Sequence, residues 1–320
     1  MKILVTGGAG YIGSLLVREL LKKNHEVRVM DIFNFGSDSL KEVMSNKNLE
    51  LVQGDIRKSE DVNRCLENME AVIHLAAIVG DPACAIQADI AVETNYLSTL
   101  RLAMATKEKK INKFLFSSTC SVYGAGNKIL TEESELNPQS LYAETKLYSE
   151  RGIMDLSNDH FKPIILRLGT LYGLSSRPRF DLIINYLTSK IIKENSAMIF
   201  GGEQWRPFVH VSDSVESFCF ALENYDTMKG EIFNVGSNRG NYQMRDIGLL
   251  FEELFEDADI QYVNEIKDPR SYRVSFDKME KLGCKFTREI KPSILEIEKY
   301  VKNNNIDPKQ LQYCNIPPLR

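Results

Sequence analysis

The sequence lacks the features that identify several classes of protein. Its six cysteines are scattered and form no CxxC pair, and with only four histidines neither a metal site nor a disulfide framework is predicted. Reduced thiols in the cytosol, and hence a cytoplasmic protein, are the expectation. No apolar run approaches the roughly 18 residues that a membrane-spanning helix needs. The net charge is −4, without a basic cluster, so we expect neither a nucleic acid nor a membrane as a partner.

Apolar strands alternate with helices along the first half of the chain. Over 320 residues, a hydrophobic fraction of 43% allows one large domain or two modest ones. Apolar spacing predicts strands at 2–6, 26–31, 49–53, 71–75, 113–117 and 163–168, and helices at 11–23, 59–68, 93–108 and around Tyr142. This alternation predicts an α/β fold of the Rossmann type, with a doubly wound parallel sheet.

Beyond about residue 170 the alternation loosens, which predicts a smaller C-terminal lobe for the substrate. We assign residues 1–172 to the Rossmann domain and 173–302 mainly to this second lobe, with helices at 181–193, 244–255 and 293–302. Strands at 208–211 and 232–235 would return to the first domain. Residues 303–320, which contain Pro308, Pro317 and Pro318, are predicted to form a loosely packed tail.

A glycine motif, Gly7-x-x-Gly10-x-x-Gly13, joins the first predicted strand to the first helix. Glycines let the backbone approach a pyrophosphate, and the helix N-terminus offers it free N–H groups and a positive dipole. Asp31 ends the second strand, where it can accept hydrogen bonds from a ribose diol and would repel a 2′-phosphate. The motif therefore predicts an NAD site, and the alternative is a turn that needs glycine for backbone reasons only.

Further cofactor contacts are expected around this turn. Tyr11 and Ile12 lie within the glycine motif, where their backbone can reach the phosphates. Asp55 and Ile56 follow the third strand and are expected along the adenine, although an ordinary turn is an equally good interpretation of that segment.

Tyr142 and Lys146 are four residues apart on a predicted helix, so their side chains share one face. Free tyrosine is a weak base at neutral pH, but a neighbouring ammonium lowers the pKa of the phenol. The phenol can then exchange a hydroxyl proton while a hydride moves to or from a nicotinamide, and Lys146 could also bind the nicotinamide ribose. By itself the pair is more typical of a packed tyrosine and an exposed lysine. After a Rossmann motif it predicts a nicotinamide enzyme.

Four segments occur in a characteristic order: TGGAGYIG at 6–13, HLAA at 74–77, FSSTCSVYG at 116–124 and YxxxK at 142–146. Together they resemble the extended short-chain dehydrogenase/reductases, and more narrowly their NAD-dependent sugar-nucleotide epimerase/dehydratase branch. The resemblance continues through 166–168, 206–213 and 233–236, nearly to the tail. It implies a Rossmann domain holding NAD, a C-terminal lobe holding a nucleoside-diphosphate sugar, and a homodimer formed through the helices near 98–108 and Tyr142.

The resemblance also implies roles for single residues near the reacting atoms. Thr119 matches the Ser/Thr that hydrogen-bonds the reacting hydroxyl beside Tyr142, and Ser117 and Ser118 are weaker candidates. Ala76 and Ala77 would line the nicotinamide end of the cofactor. Asn95 would brace the active-site strands.

Arginines are expected at the substrate end, because a guanidinium donates two parallel hydrogen bonds to a diphosphate. Arg206 and Arg270 match family arginines with this role, and a surface salt bridge is the alternative for each. Arg177 and Arg179 would add charge near the substrate mouth. Thr170 stands where the family has an asparagine that contacts the sugar diphosphate.

Departures from the family pattern narrow the function. Cys120 and Ser121 occupy the positions where dehydratases carry an Asp-Glu pair, which disfavours a 4,6-dehydratase. The segment 78–84 lacks the lysine of UDP-galactose 4-epimerases, and with 177–181 it looks more like members from bacterial surface-polysaccharide pathways. Three functions stay open: a nucleotide-sugar 4-epimerase acting through a transient 4-keto sugar, a net oxidoreductase (C4 dehydrogenase or ketosugar reductase) on a nucleotide-linked sugar or heptose, and a non-enzymatic dinucleotide sensor.

Four further residues are weighed on their surroundings. His74 and His210 lie in predicted strands and are expected to be packed rather than catalytic. Trp205 would either stack on a nucleobase or sugar or cover the core of the second lobe. Cys120 has no base placed to activate it, so no nucleophilic role is predicted.

Overall fold

A seven-stranded parallel sheet forms the centre of the protein. The structure is a computed structural model that describes residues 1–264, 270–304, 306–308 and 310–315. The strand order of the sheet is β11-β7-β5-β4-β1-β2-β3. The described strands are β1 Lys2–Thr6, β2 Glu26–Asp31, β3 Leu49–Gln53, β4 Ala71–His74, β5 Lys113–Thr119, β6 Ala125–Leu130, β7 Ile164–Leu168, β8 Thr170–Tyr172, β9 Ser196–Phe200, β10 Trp205–His210, β11 Ile232–Val235, β12 Asn241–Gln243, β13 Asp259–Val263 and β14 Ser271–Val274.

Helices cover both faces of this sheet and build the second lobe. The α-helices are α1 Tyr11–Lys22, α2 Ser59–Cys65, α3 Asp81–Ile86, α4 Ala88–Val92, α5 Ser98–Glu108, α6 Leu141–Asp155, α7 Ile183–Glu194, α8 Val211–Glu223, α9 Tyr225–Met228, α10 Met244–Leu254, α11 Asp277–Lys281 and α12 Ile290–Asn304. A π-helical turn at Glu93–Leu97 joins α4 to α5, and 3₁₀ turns lie at Asp38–Val43, Cys120–Tyr123, Asn238–Gly240 and Leu311–Tyr313. None of the helices in the described ranges has both the length and the apolarity needed to cross a bilayer.

The alternation of buried side chains along the strands explains the two covered faces. Ile3 and Val5 of β1 pack on one face against α1 and α8, through residues such as Phe218. Leu4, which lies between them in sequence, packs on the other face with side chains of α2, α5 and α6 such as Ile153. Both faces of each central strand are therefore apolar, as a doubly wound parallel sheet requires. The predicted fold class is confirmed.

A second apolar cluster supports the smaller lobe. Helices α7, α10 and α12 enclose Phe180, Leu187, Phe251 and Ile297. Strands β8, β10 and β12 form a three-stranded sheet, and β9 pairs with β13 and β6 with β14. The sequence did not predict the short strands β6, β8, β9, β12, β13 and β14. Several of them, such as β6 and β13, are mostly exposed and mix polar with apolar residues, so they lack the continuous apolar run of a buried strand.

The predicted return of two late strands to the main sheet is only half correct. Strand β11 pairs with β7 at the edge of that sheet. The segment predicted at 208–211 belongs to β10, which pairs with β8 and β12 instead. An apolar run alone cannot determine which sheet a strand joins, because its partner is chosen by the connection that precedes it.

The prediction of a loosely packed tail is wrong for its described residues. Ile306 is buried in the core of the second lobe. The ring of Tyr313 meets that of Phe180 edge-on, with 5.7 Å between centroids, and the Phe180 N–H donates to the Tyr313 carbonyl at 2.8 Å. The sequence prediction missed Ile306 and Tyr313 because prolines and polar residues surround them. These two side chains pack the segment against the second lobe.

Candidate active site

One continuous groove of about 1340 Å³ runs along the carboxyl ends of the parallel strands. The loops that follow β1, β2, β3, β4, β5 and β7 all contribute to its wall, as expected for ligand sites of open α/β sheets. The groove extends from Asp31 at one end to Arg206 and Arg270 at the other. Every site residue predicted from the sequence lines it, so the fold brings together positions as distant as Gly7 and Arg270.

The glycine motif forms a turn that only glycine fits. Gly7 has a φ of +73°, and a Cβ on Gly13 would lie 2.2 Å from the Gly7 carbonyl oxygen. Helix α1 starts at Tyr11 with Gly10 as its N-cap and without a side-chain cap. Its first N–H groups have no partner within the helix, and they lie at the wall of the groove. This arrangement suits a pyrophosphate.

Asp31 lies at the end of β2, beside the glycine turn. Its carboxylate accepts the Ala9 N–H at 3.0 Å and the Phe33 N–H at 2.9 Å. Burial raises the pKa of this carboxyl above its ordinary value, and the two backbone N–H groups oppose that rise. Since an ionised carboxylate accepts about four hydrogen bonds, Asp31 keeps capacity for a ribose diol.

The other predicted cofactor residues also line the groove: Tyr11, Ile12, Asp55, Ile56, Ala76 and Ala77. The phenol of Tyr11 donates to the Gly173 carbonyl at 2.7 Å, so only its backbone can serve a phosphate. The Asp55 carboxylate pairs with Arg57 at 2.6 Å, and the Arg57 hydrogen bond holds the pKa of that carboxyl below its ordinary value. The glycine turn, the uncapped N-terminus of α1 and the acceptor Asp31 together fit NAD.

Thr119, Tyr142 and Lys146 meet where β5 ends and α6 begins. Ser140 caps α6 by accepting the Ala143 N–H at 3.3 Å, which orients the first turn with Tyr142. The buried Lys146 ammonium donates to the Ser117 carbonyl at 2.9 Å and lies 4.7 Å from the centre of the Phe116 ring.

The protonation of this group differs from the prediction in two respects: the pKa of Tyr142 is raised rather than lowered, and the cations that act on it are not Lys146. Burial raises the pKa of the Tyr142 phenol above its ordinary value, and the cations that oppose this rise are Arg179 and Arg270. The sequence assigned that effect to Lys146. Burial lowers the pKa of Lys146 to about 8, and its ammonium is engaged by the Ser117 carbonyl.

The predicted substrate residues Thr170, Arg179, Arg206 and Arg270 all line the groove. Arg206 is only 8% exposed and is therefore not a surface salt bridge, whereas Arg270 does form an ion pair, with Asp81. Arg206 donates to the Trp205 carbonyl at 2.9 Å and to the Arg270 carbonyl. Arg179 forms a two-point ion pair with Asp181 at 3.0 and 2.7 Å.

Arg270 is tied to the catalytic group through two contacts. Its guanidinium pairs with Asp81 at 2.8 Å and reaches the Ser121 hydroxyl at 3.4 Å. That hydroxyl in turn accepts from Thr119 at 3.1 Å. Residues 265–269, which precede Arg270 and include Asp268 and Pro269, lie outside the described part of the structure.

Asp81 and Asn315 are groove residues that sequence reasoning missed. Asp81 accepts from the Ser140 hydroxyl, which caps α6, while also pairing with Arg270. The Asn315 N–H donates to Asp181 at 3.3 Å, and its side-chain oxygen is buried at the groove without a partner. Asp81 lies in the segment 78–84, which the sequence analysis had compared with the family. Asn315 lies in the C-terminal tail, where no sequence pattern indicated a site residue.

A buried polar network supports the catalytic strand from behind. Arg167 on β7 forms a two-point ion pair with Glu150 of α6 at 2.7 and 3.0 Å. Glu150 also accepts from the Ser118 hydroxyl on β5. Arg167 donates further to Tyr123, whose phenol donates to Asn234 at 2.8 Å. The one indication of this network in the sequence was the charged residue Arg167 within the apolar strand β7.

His74, His210 and Cys120 have contacts and protonation states that fit structural rather than catalytic roles. His74 bonds the hydroxyls of Thr6 and Thr99 at 2.7 and 2.8 Å, and burial lowers its pKa to about 3. His210 caps α8, and burial lowers its pKa to about 4. Burial raises the pKa of Cys120, which keeps it a thiol.

The positions of Asn95 and Trp205 bear on their predicted roles. Asn95 bonds both the N–H and the carbonyl of Ile78, at 2.8 and 2.9 Å, and thereby holds the loop after β4 rather than a strand. Trp205 lies outside the groove wall, with the Arg273 guanidinium 5.0 Å from its ring centre.

Comparison with known proteins places this geometry among its relatives. Residues 3–236 match a family model described as the NAD-dependent epimerase/dehydratase family. The chain is 33% identical to a UDP-glucose 4-epimerase of Lactobacillus helveticus, over 75% of this chain and 78% of that protein. It is 28% identical to a UDP-N-acetyl-α-D-glucosaminuronate decarboxylase of Bacillus cytotoxicus, over 74% and 75%.

A solved structure extends the likeness to almost the full length. The UDP-glucuronic acid 4-epimerase of Bacillus cereus, in complex with UDP-glucuronic acid and NAD, has a TM-score of 0.85. It is 28% identical, over 95% of this chain and 99% of that one. That structure therefore shares the fold of this chain over nearly its full length, and the three relatives carry names of different activities.

Proposed function

The chain belongs to the NAD-dependent epimerase/dehydratase family, and we propose that it is a nucleotide-sugar 4-epimerase. It is an enzyme of nucleotide-sugar chemistry with NAD as its cofactor. Two observations in the groove together support the proposal that the reaction is a 4-epimerisation. Thr119, Tyr142 and Lys146 meet there, while the two positions after Thr119 hold a thiol and a hydroxyl instead of carboxylates.

The absence of carboxylates at those two positions argues against dehydration. Loss of water needs a group that removes a proton from carbon and another that protonates the leaving oxygen. Cys120 is buried as a thiol with a raised pKa, and the Ser121 hydroxyl is occupied by Thr119. Proton exchange at a sugar hydroxyl, in contrast, needs only one acid/base.

Tyr142 is the proposed acid/base of the reaction. NAD, when bound, supplies the acceptor for the hydrogen of the oxidised carbon and returns it. Burial raises the pKa of Tyr142, and Arg179 and Arg270 oppose that rise; in the proposed step the ionised fraction of Tyr142 accepts the proton of the C4 hydroxyl. The phenol then returns a proton to the C4 oxygen once the 4-keto sugar has turned over. Thr119 orients that oxygen throughout, and Lys146 holds the nicotinamide ribose.

The second lobe is the proposed holder of the nucleotide. Arg206 and Arg270, with Arg179 and Thr170 near them on the groove wall, suit a diphosphate because guanidinium groups match its oxygens. The division into a cofactor domain at 1–172 and a substrate lobe mainly at 173–302 belongs to this proposal. A role in bacterial surface-polysaccharide synthesis rests on the segments 78–84 and 177–181.

A homodimer is proposed on the basis of one exposed apolar surface. We call the side chains of α3 to α6 that carry it the helical face. Its large hydrophobic members are 40% to 49% exposed: Ile86, Ile90, Leu97, Met104 and Tyr148. Clustered exposed apolar groups mark interaction surfaces, and a second copy would cover these.

Turnover of defined nucleotide sugars tests the function. UDP-, GDP-, CDP- and dTDP-sugars are screened by thermal shift, since a ligand that binds only the folded state raises its Tm. The product from the best binder is then identified by NMR, with NADH absorbance followed during turnover. We expect a C4 epimer without net NADH. NADH formed in proportion to product would favour a net dehydrogenase instead, and no change in any sugar would contradict both.

A further inference from the structure

Arg177 is a buried cation whose guanidinium lacks hydrogen-bond acceptors for two of its nitrogens among the described residues. The residue is 6% exposed, and its Nε and Nη2 atoms are buried with no hydrogen-bond acceptor among the residues that the structure describes. A buried guanidinium is stable only when its charge and its N–H groups are compensated. The neighbouring Arg179, which lies in the same loop, has that compensation from Asp181.

The surroundings of Arg177 hold its guanidinium in place without satisfying it. Its central carbon lies 3.6 Å from the centre of the Phe35 ring, a stacking contact that fixes the plane of the group. The carboxylates of Asp31 and Asp181 favour its charge, and Arg179 opposes it. Burial lowers the pKa of Arg177 to about 10, so the group is still a cation at neutral pH.

The position of Arg177 in the groove indicates which ligand it would meet. It lines the same groove as the glycine turn and Asp31, and it acts electrostatically on the Asp31 carboxylate. The predicted diphosphate ligands Arg206 and Arg270 lie toward the catalytic residues instead. A dinucleotide presents phosphate beside its adenosine ribose, and a phosphate oxygen is the acceptor that best suits a guanidinium.

We propose that Arg177 is a cofactor-binding residue, supplied by the loop before α7, whose guanidinium pairs with a backbone phosphate of the dinucleotide while Asp31 accepts from the ribose diol. The inference rests on the groove holding NAD and not on the reaction being an epimerisation. It also joins the two parts of the groove, because Arg177 lies in the same loop as Arg179 and Asp181. Release of the cofactor would then require this loop to give up its ion contact.

Binding of nucleotide fragments to Arg177→Gln tests the proposal. The probes are adenosine, ADP, ADP-ribose, NAD and 2′-AMP, measured by calorimetry and thermal shift on protein stripped of cofactor. We expect affinity for ADP, ADP-ribose and NAD to fall about 10- to 100-fold, since a hydrogen bond to a charged group is lost. Adenosine affinity should change less than about twofold, and the NAD content of the purified variant should fall.

Two further variants separate a local effect from a general one. Arg273→Gln is the matched control, because Arg273 also stacks on an aromatic ring but lies outside the groove wall; it should leave all affinities unchanged. Arg177→Lys keeps the charge and should recover part of the ADP affinity, and it serves as the test protein if Arg177→Gln does not fold.

Three results would overturn the proposal. One is unchanged binding of ADP and NAD in Arg177→Gln. Another is a loss confined to 2′-AMP, which would indicate recognition of a 2′-phosphate. The third, seen when UDP is added as a further probe, is a loss of UDP affinity with ADP unaffected, which would assign Arg177 to the substrate. Because no arm measures turnover, failure of the proposed epimerisation would leave this inference standing, and the reverse also holds.

Discussion

At the scale of single residues, Tyr142 carries the proposed chemistry and is protonated at rest. Burial raises the pKa of its phenol, and Arg179 and Arg270 provide the opposing positive charge. Only the ionised fraction of this phenol can accept a proton from a substrate hydroxyl. The position of this phenol, rather than a strongly lowered pKa, is what the fold contributes.

Replacing Tyr142 by Phe removes the acid/base and leaves the ring. We expect kcat for the best nucleotide sugar to fall about 10²- to 10⁴-fold, the usual contribution of a positioned acid/base. NAD content and Tm should be unchanged. The matched control is Tyr148→Phe on the same helix, since Tyr148 is 49% exposed and lies outside the groove wall. Full activity in Tyr142→Phe would refute the proposed role.

Lys146 makes the stability of the ligand-free protein depend on pH. Its pKa is lowered to about 8 in the folded protein from an ordinary 10.5. Between these values the unfolded chain binds more protons, so the free energy of unfolding should rise with pH from about 8 to 10. The rise is at most roughly 3 kcal/mol. Denaturant titrations should show it in the wild type and not in Lys146→Met; parallel profiles of the two proteins would contradict it.

At the scale of elements, three of them are joined by one buried ion network. Glu150 of α6, Arg167 of β7 and Ser118 of β5 form its centre. Both charged side chains are only 2% exposed. Because a buried pair compensates charges that water no longer solvates, removing one partner leaves the other unpaired. The network therefore holds the catalytic strand and the catalytic helix in one arrangement.

Glu150→Gln should destabilise the protein by about 3–5 kcal/mol, as expected for an uncompensated buried arginine. Urea unfolding followed by circular dichroism measures this change. Glu144→Gln provides the control on the same helix, because Glu144 is exposed, and it should change stability by no more than about 0.5 kcal/mol. Similar midpoints for the two variants would show that the network contributes little.

At the scale of the whole molecule, the groove and the helical face point to different partners. The groove is concave and takes small molecules, with the C-terminal segment forming part of its wall through Asn315. The helical face is apolar, which suits a second copy of the chain. Ile86 and Ile90 of this face also line the groove, so the proposed assembly would border the cofactor site.

Introducing a charge on the helical face should dissociate the proposed dimer. Leu97→Glu places a carboxylate on a side chain that is 40% exposed there, so light scattering should detect a shift toward monomer at micromolar concentration. Leu295→Glu on α12 is the control, because Leu295 is 46% exposed but distant in the fold. A monomeric wild type would remove the basis for this proposal, and equal masses for all three proteins would exclude this face.

Part of the fold and of the site was predictable because it follows from local pattern. The strands of the Rossmann sheet are short apolar runs between helices of regular spacing, and the structure has them within one or two residues. The catalytic and glycine motifs are also local, since Gly13 and Tyr142 act from positions that one turn or one helix defines. The distribution of lobes, the tail and the partners of the arginines lacked such a signal.

The sequence by itself determined the parallel sheet, the cofactor turn and the positions of Thr119, Tyr142 and Lys146. Only the tertiary structure decided that Arg179 and Arg270 are the cations acting on Tyr142 and that Glu150 pairs with Arg167. It also decided that two buried nitrogens of Arg177 have no hydrogen-bond acceptor in the part of the chain that the structure describes. The physical reason is the difference in sequence range between the interactions involved. Backbone propensity and apolar periodicity act over a few residues, whereas charge, burial and pKa depend on which distant segments the fold brings into contact.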